Sequence, residues 1–257
     1  VFTSQTKLNR AASRISVLSL HNNELNGKLK KYEKDIRILE REISAMDLMI
    51  QKQQDMESSG LESHHQRALS EMSELQNRLK TDAIQAKNLK RQVQAVSRDE
   101  IISKYGNGVH QVELELVFPD HLHHRSPAKF VIELASAEVM PHSVHTFLEM
   151  VTSGLVDGCS FILNAMHVLK AAPLPYDGTS AAEKAQAFAE QGLESVAFKE
   201  YNEDYPHRKY TVGFAADGSP SFYINTEDNS AIHAGDPCFG KVVSGFDTVH
   251  RLESMPT

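Results

Sequence analysis

The sequence predicts a two-part protein, an N-terminal α-helical coiled coil followed by a mainly β C-terminal domain, and two observations support this division. In residues 1–100 apolar side chains follow a heptad repeat, and this stretch contains only two glycines and no proline. All nine prolines of the 257 residues lie after residue 118, where short stretches of alternating apolar and polar residues replace the heptad repeat. We therefore place the coiled coil at 1–98 and the β domain at 108–257.

The heptad repeat indicates a coiled coil because each repeat has two apolar core positions, which are separated alternately by three and four residues. One core position holds Leu8, Ile15, Asn22, Leu29, Ile36, Ile43 and Ile50, and the other holds Leu18, Leu25, Tyr32, Leu39 and Met46. A buried amide at a core position, such as Asn22, commonly fixes the register or the number of strands. A frayed, hydrated layer is the alternative explanation for Asn22.

A second apolar seam, from Leu61 to Val96, is one residue out of phase with the first. We therefore expect a helix break at 54–60, where two serines and Gly60 favour a turn. Two arrangements fit this change of phase. The helices could form an antiparallel hairpin, or one long helix could accommodate the one-residue shift and dimerise in parallel. We favour the intermolecular coil, so the expected role of this segment is self-association or hetero-association.

The charge differs between the two parts and excludes some partners. Residues 1–100 carry 17 basic and 14 acidic side chains, net +3, whereas residues 101–257 carry 10 and 20, net −10. This acidic balance argues against binding to nucleic acid, whose phosphates are negative. The longest uncharged apolar stretch, Cys159 to Leu169, is far shorter than the roughly 20 residues that span a membrane.

Neither a cofactor nor a metal is indicated by the motifs. We find no phosphate-binding glycine loop and no Ser/His/Asp order, and the spacing of Cys159 and Cys238 is not that of zinc ligands. Whether these two cysteines pair stays open. The sequence begins at Val1 rather than Met, which is compatible with a leading targeting or membrane-anchoring segment upstream, so localisation also stays open.

The β domain begins with an alternating strand whose apolar members are Val112, Leu114, Leu116 and Phe118. The loop that follows contains Asp120, His121, His123 and His124. These side chains could bind a transition metal, but we favour a solvated loop. A second strand, 130–134, precedes a helix that Pro141 opens, and on this helix we expect His142 and His145 to be exposed.

The ordered motifs of this half resemble the cyclophilin family. Residues 130–134 and 139–147 are similar to a strand ending in Glu-Leu and a Pro-x-Ser/Thr-x-x-Asn-Phe helix, with His145 in place of the Asn. The similarity returns at 154–161, 198–202 and 221–224, and it runs without a gap from Ile224 to Val242. It covers about residues 108–255 and implies an eight-stranded antiparallel barrel with capping helices.

The resemblance also implies an activity, the cis/trans isomerisation of X-Pro bonds. An Arg in the family's Phe-His-Arg motif is thought to hydrogen-bond the substrate, and Leu163 stands at that position here. Leucine offers no donor, so no catalytic residue is carried over. The substrate-groove candidates at matched positions are Leu163, Val168, Leu169, Ser221, Tyr223, Ala231, Ile232 and Asp236.

A segment rich in Ala and Glu replaces the family's glycine-rich loop beside the groove. Ser180 and Glu183 form a capping-box pattern, so we predict an extra helix at 180–197. This helix would either cover the groove or lie on the surface without affecting access.

Three functions remain in view. The leading one is a cyclophilin-like module that binds proteins or peptides on a coiled-coil stalk, with isomerase activity lost or very weak. The alternatives are an active peptidyl-prolyl isomerase that assists folding, and a coiled-coil tether or assembly subunit.

Overall fold

The computed structural model describes residues 2–54, 62–118, 128–165, 167–175 and 178–255. The predicted helix break, beyond Gln54, and the loop with Asp120, His121, His123 and His124 lie outside the described residues. The elements in chain order are α1 (Phe2–Gln54), α2 (Glu62–Tyr105), β1 (Gln111–Leu116), β2 (Ala128–Leu134), α3 (Pro141–Thr152), β3 (Cys159–Ala165), β4 (Val168–Pro175), α4 (Ala181–Glu190), β5 (Thr211–Phe214), β6 (Phe222–Asn225), β7 (Cys238–Ser244) and α5 (Phe246–Glu253). They form two compact units, a helical unit, Val1–Val93, and a sheet unit, Gln94–Thr257.

In the helical unit the core positions of the heptad repeat are the less exposed ones. Every core position from Asn22 to Ile50 is buried or half-buried, whereas most intervening side chains are exposed. Glu33 of α1 and Lys90 of α2 form an ion pair of 3.3 Å. Because Glu33 precedes the end of α1 by 21 residues and Lys90 follows the start of α2 by 28, the helices run antiparallel within one chain. Association between chains stays a prediction.

The sheet unit is built on a curled antiparallel sheet of seven strands in the order β1-β2-β7-β5-β6-β4-β3. The sequence predicted eight strands, and the described residues form seven. Strand β2 alternates strictly between buried and half-buried side chains, as expected for a strand with one face on the core. The mainly β class of this half is confirmed.

Aromatic rings fill the core between the sheet and α3. Phe147 of α3 lies 5.0 Å from the ring of Phe239, and Phe239 stacks on Phe214 at 4.4 Å. Each of these three rings is fully buried. Burial of one such ring stabilises the fold by about 2–3 kcal/mol, so this cluster is a main source of stability.

The last turns of α2 belong to the sheet unit and meet α3 through buried polar groups. Glu100 Oε2 lies 2.5 Å from His145 Nε2, and both side chains are at least nine-tenths buried. Glu200 accepts hydrogen bonds from the backbone N–H groups of Ser143 (2.7 Å) and His142 (3.3 Å) at the start of α3, and from Gln94 Nε2 (2.8 Å). We call Glu100, His142, His145 and Glu200 the helix-junction cluster.

The burial of His142 and His145 corrects the expectation that both are exposed. Only 3% of His142 and 7% of His145 is accessible. The ring of His142 stacks on Phe198 at 4.7 Å, and burial lowers the pKa of His142 to about 3. Pattern reasoning missed this because it could not foresee that α2 covers the outer side of α3.

The segment predicted to carry an extra helix contains α4. Ser180 Oγ accepts from the Glu183 N–H at 3.1 Å, and the Glu183 carboxylate accepts from the Ser180 N–H at 2.9 Å. The helix ends at Glu190, seven residues before the predicted end, where Gly192 adopts a left-handed φ of 68°. Phe188 is 2% exposed and joins the core beside β4.

Within the described ranges, none of the helices has an apolar stretch long enough to cross a membrane.

Candidate functional site

A row of four residues crosses the outer face of the sheet. Leu163 of β3 lies opposite Lys170 of β4, Lys170 opposite Tyr223 of β6, and Tyr223 opposite Gly213 of β5. Directly opposed residues of neighbouring strands share a face, so these four form one outer-face row. Their chain neighbours Leu169, Ile224 and Val212 belong to the core on the other face.

The position of Leu169 corrects the assignment of this residue to the groove. Leu169 is 1% exposed and packs in the core. Since side chains alternate along a strand, the outer face of β4 instead presents Lys170. A cation thus lies between two groove candidates, and sequence matching missed it because it matched positions in the chain rather than faces of the strand.

Tyr223 is held against the sheet by the absence of a side chain at Gly213. A Cβ atom at position 213 would lie 2.6 Å from the Pro237 carbonyl oxygen and 3.0 Å from Tyr223 Cζ. The tyrosine is 4% exposed, and its hydroxyl lies 3.3 Å from His207 Nδ1. Burial raises the pKa of Tyr223 above its ordinary value, so the hydroxyl keeps its proton at neutral pH.

His207 is the centre of the polar network at this site. Its Nε2 lies 3.1 Å from the Asp236 carbonyl oxygen, and its Nδ1 lies 3.3 Å from both the Tyr223 hydroxyl and Asn225 Nδ2. A carbonyl oxygen only accepts, so Nε2 carries the proton and Nδ1 accepts from the other two. Burial lowers the pKa of His207, which favours this neutral tautomer.

A second histidine packs beside this network and connects it to a carboxylate. The ring of His233 lies 5.0 Å from that of Tyr223 and 5.5 Å from that of His207, and its Nδ1 lies 3.4 Å from Asp236 Oδ2. Asp236 Oδ1 forms an ion pair of 2.6 Å with Lys199. We call His207, Tyr223, His233 and Asp236 the histidine cluster.

The histidine cluster has the composition of a metal site but another geometry. Its rings face each other, with His167 also 5.9 Å from His233. Both nitrogens of His207 and Nδ1 of His233 contact neighbouring protein groups, whereas His233 Nε2 is buried without a hydrogen-bond partner. Across the part of the chain that the structure describes, no three His, Cys, Asp or Glu side chains are placed to hold a metal ion. His207, Tyr223 and Asp236 are buried, and 19% of the His233 side chain is accessible, so His233 is the member that a ligand can reach.

The other groove candidates differ in exposure. Ile232, beside His233, is 70% exposed, and Ala231 is also exposed. Ser221 and Val168 are buried, and Leu163 is 44% exposed at the end of the outer-face row. Sequence reasoning therefore found Tyr223 and Asp236 but missed His207 and His233, which no local motif marks and which only the fold brings together.

Lys170 is the cation of the outer-face row. Its ammonium group lies 3.3 Å from Asp217 Oδ2, and a quarter of its side chain is accessible. Its place in the row, next to both Leu163 and Tyr223, puts a positive charge on the same face as the aromatic cluster.

Comparison with known proteins identifies the family. A family model described as cyclophilin type peptidyl-prolyl cis-trans isomerase/CLD matches residues 121–257, more than half of the chain. The chain belongs to the cyclophilin family. The resemblance predicted from the sequence is thus confirmed for this half.

Solved structures that this cyclophilin resembles include two of a cyclophilin type peptidyl-prolyl cis-trans isomerase from Cryptosporidium parvum. Each is 18% identical and covers 50% of this chain, with TM-scores of 0.41 and 0.40 over 80% and 81% of those chains. One of the two was determined in the presence of the dipeptide Ala-Pro. No curated protein matches the chain.

Proposed function

We propose that this cyclophilin domain binds proteins or peptides through the outer-face row and the histidine cluster, and that its isomerase activity is lost or very weak. The observation that carries the proposal is Leu163, at the position where the family's motif has an arginine. Leu163 is 44% exposed, so it offers a ligand apolar surface rather than a hydrogen-bond donor.

Isomerisation is a non-covalent reaction, so the rate depends on groups that stabilise the twisted amide more than the planar one. Removing one well-placed donor from a transition state costs on the order of 10²–10³-fold in rate. The hydroxyl of Tyr223 does not replace that donor, because it already donates to His207 Nδ1. Binding needs less than catalysis: apolar surface and aromatic faces are sufficient to hold an extended peptide.

The second candidate function, a weakly active isomerase, is favoured by Lys170. Its ammonium group lies in the row next to Leu163 and is a hydrogen-bond donor. Lysine is a flexible point charge, whereas arginine presents a rigid planar fork, so the stabilisation from Lys170 would be smaller. On this candidate the residual rate depends on Lys170.

For the helical unit we infer a role as a stalk through which the chain associates with itself or with another helical protein. Support comes from the heptad repeat of the sequence, with Asn22 at a core position. Mass measurement of the full chain across a dilution series tests this role. A chain that stays monomeric at all concentrations and captures no helical partner would contradict it.

The isomerase question is tested on the full chain with a panel of X-Pro peptides. The variants are Leu163→Arg, Lys170→Met and a control, Leu174→Arg, whose parent leucine on β4 is also 44% exposed. We expect no detectable rate in the parent and a rate at least about 100-fold higher in Leu163→Arg but not in the control.

Each other outcome has a defined meaning. A parent rate that Lys170→Met abolishes moves the second candidate ahead of the first. A substantial parent rate that survives Lys170→Met contradicts both, because neither accounts for it. Peptide binding by the parent, measured in parallel, must persist for the binding role to stand.

A further inference from the structure

Two buried asparagines lie beside the histidine cluster and bond to each other. Asn225, the last residue of β6, is fully buried, and Asn229 is 1% exposed. Asn229 Nδ2 donates to Asn225 Oδ1 at 2.7 Å. We call Asn225 and Asn229 the buried amide pair. A buried amide without partners destabilises a fold, so the other contacts of this pair account for its place in the core.

The orientation of both amides follows from two carbonyl oxygens. Asn225 Nδ2 lies 3.2 Å from the Thr211 carbonyl oxygen, and Asn229 Nδ2 lies 2.7 Å from that of His167. Carbonyl oxygens only accept hydrogen bonds, so these two side-chain atoms are the nitrogens, and Asn225 Oδ1 is the acceptor within the pair. The second hydrogen of Asn225 Nδ2 is donated to His207 Nδ1 at 3.3 Å.

The hydrogen bond from Asn225 fixes the tautomer of His207. A ring nitrogen that accepts carries no proton, so the proton is on Nε2, which donates to the Asp236 carbonyl oxygen at 3.1 Å. Asp236 in turn directs its carboxylate at His233 Nδ1, at 3.4 Å. The buried amide pair is thus connected through His207 to the accessible histidine of the cluster.

Asn229 also shapes the segment that carries the accessible residues of the site. Residues 226–237, between β6 and β7, form neither helix nor strand. The Asn229 N–H donates to the His207 carbonyl oxygen at 2.7 Å, and the Asn229 carbonyl oxygen accepts from the N–H groups of Ile232 and His233, both at 2.9 Å. The backbone position of these two ligand-accessible residues therefore depends on a residue that is itself buried.

We propose that Asn225 and Asn229 are positioning residues of the ligand site. Asn225 holds His207 as the tautomer with its proton on Nε2, and Asn229 holds the segment 226–237 in the shape that presents His233. The ligand itself rests on the proposed function, and both asparagines are too buried to touch it. A surface that is already held in its bound shape loses less entropy on binding. Loss of either amide therefore weakens binding without removing a contact to the ligand.

The first test is the nitrogen NMR signature of the His207 ring in the full chain, assigned by its loss in His207→Gln. We expect the parent to carry one ring proton at neutral pH, on Nε2. Asn225→Asp replaces the donor to Nδ1 with a carboxylate oxygen, which attracts a proton to Nδ1, so a proton should appear there. Tyr223, His233 and Asp236 also face His207, and this variant leaves all three in place.

The matched control is Asn164→Asp, which makes the same change in an amide outside the site. Asn164 Nδ2 lies 2.9 and 2.8 Å from the carbonyl oxygens of Glu253 and Met255, at the end of α5. The His207 signature in this control should equal that of the parent. Circular dichroism checks that each variant is folded. If Asn225→Asp does not fold, the parent spectrum still decides, because a ring proton on Nδ1 in the parent contradicts the role of Asn225.

The second test follows the segment 226–237 and the ligand. Asn229→Asp places an oxygen atom against the His167 carbonyl oxygen and against Asn225 Oδ1, both of which repel it. We expect amide exchange in 226–237 to become at least about tenfold faster. The affinity for a labelled X-Pro peptide, Gly-Ala-Ala-Pro-Ala-Gly, measured by fluorescence anisotropy, should fall at least about tenfold. Neither quantity should change in Asn164→Asp.

The outcomes separate this proposal from the proposed function. A parent that binds no X-Pro peptide contradicts the proposed function, whereas the ring signature and the exchange rates still decide the roles of the two asparagines. Peptide binding that a folded Asn229→Asp leaves unchanged overturns the positioning role of Asn229 and keeps the proposed function. A ring signature in folded Asn225→Asp that equals that of the parent overturns the role of Asn225.

Discussion

The helix-junction cluster and the histidine cluster are built from similar residues and differ in what they leave accessible. In the junction, Glu100, His142, His145 and Glu200 are each 3–7% exposed. The contact of Glu100 with His145 and the hydrogen bonds of Glu200 join α3 to other parts of the chain, while the two ring nitrogens of His142 have no hydrogen-bond partner. In the histidine cluster His207 is buried, but 19% of the His233 side chain is accessible and Ile232 beside it is largely exposed. Buried polar groups that are used internally indicate a role in stability, whereas a partly open cluster is free to contact a ligand.

The largest expected effect comes from breaking the contact between Glu100 and His145 in the junction. His145→Leu leaves the buried Glu100 carboxylate without its partner, so we expect the free energy of unfolding to fall by about 3 kcal/mol in urea titrations. The double variant Glu100→Leu/His145→Leu also removes the buried polar group that has lost its partner and should recover most of this loss. A double variant as unstable as the single one would mean that shape, rather than charge, holds the junction together.

The second prediction uses the pH dependence of the junction. The pKa of His142 in the folded protein, about 3, is below its ordinary value of 6.5, so the unfolded chain binds a proton that the folded chain does not. This difference lowers stability as the pH falls from 6.5 toward 3, by about 2 kcal/mol between pH 7 and pH 5.

His142→Phe keeps the stack on Phe198 and removes the titrating group, so it should flatten the stability profile between pH 7 and 5. Urea unfolding at several pH values measures this, with His110→Phe on the half-exposed His110 as the control. An unchanged profile in His142→Phe would show that other groups cause the acid sensitivity.

The smallest effect compares two tyrosines, one near each cluster. Tyr105→Phe removes a bond of 2.8 Å to the Glu149 carboxylate and should cost about 2 kcal/mol, because bonds to charged groups are the stronger ones. Tyr223→Phe removes a bond of 3.3 Å to His207 Nδ1, which Asn225 also serves, and should cost less than about 1 kcal/mol. If both variants lost the same free energy of unfolding in thermal or urea titrations, the proposed difference in stability between the two clusters would be wrong.

The sequence predicted features that depend on local order or on a family pattern. The capping box of Ser180 and Glu183 is contained in four residues, so a local pattern is sufficient to predict it. The histidine cluster joins three segments of the chain and has no local signal. The prediction that His142 and His145 are exposed was wrong, because α2 covers a face of α3 that the sequence pattern alone leaves open. The assignment of Leu169 to the groove was wrong, because the face on which it lies depends on the register of β4.

The hydrogen bonds of Asn164 to the end of α5 make the protein sensitive to deamidation of this one side chain. A side-chain amide has two hydrogens to donate, and at this position both are directed at a group of three carbonyl oxygens. Spontaneous deamidation to aspartate would put a negative charge in place of the donor, so three attractive contacts would become repulsive. The last turn of α5 and the residues directly after it would then separate from β3.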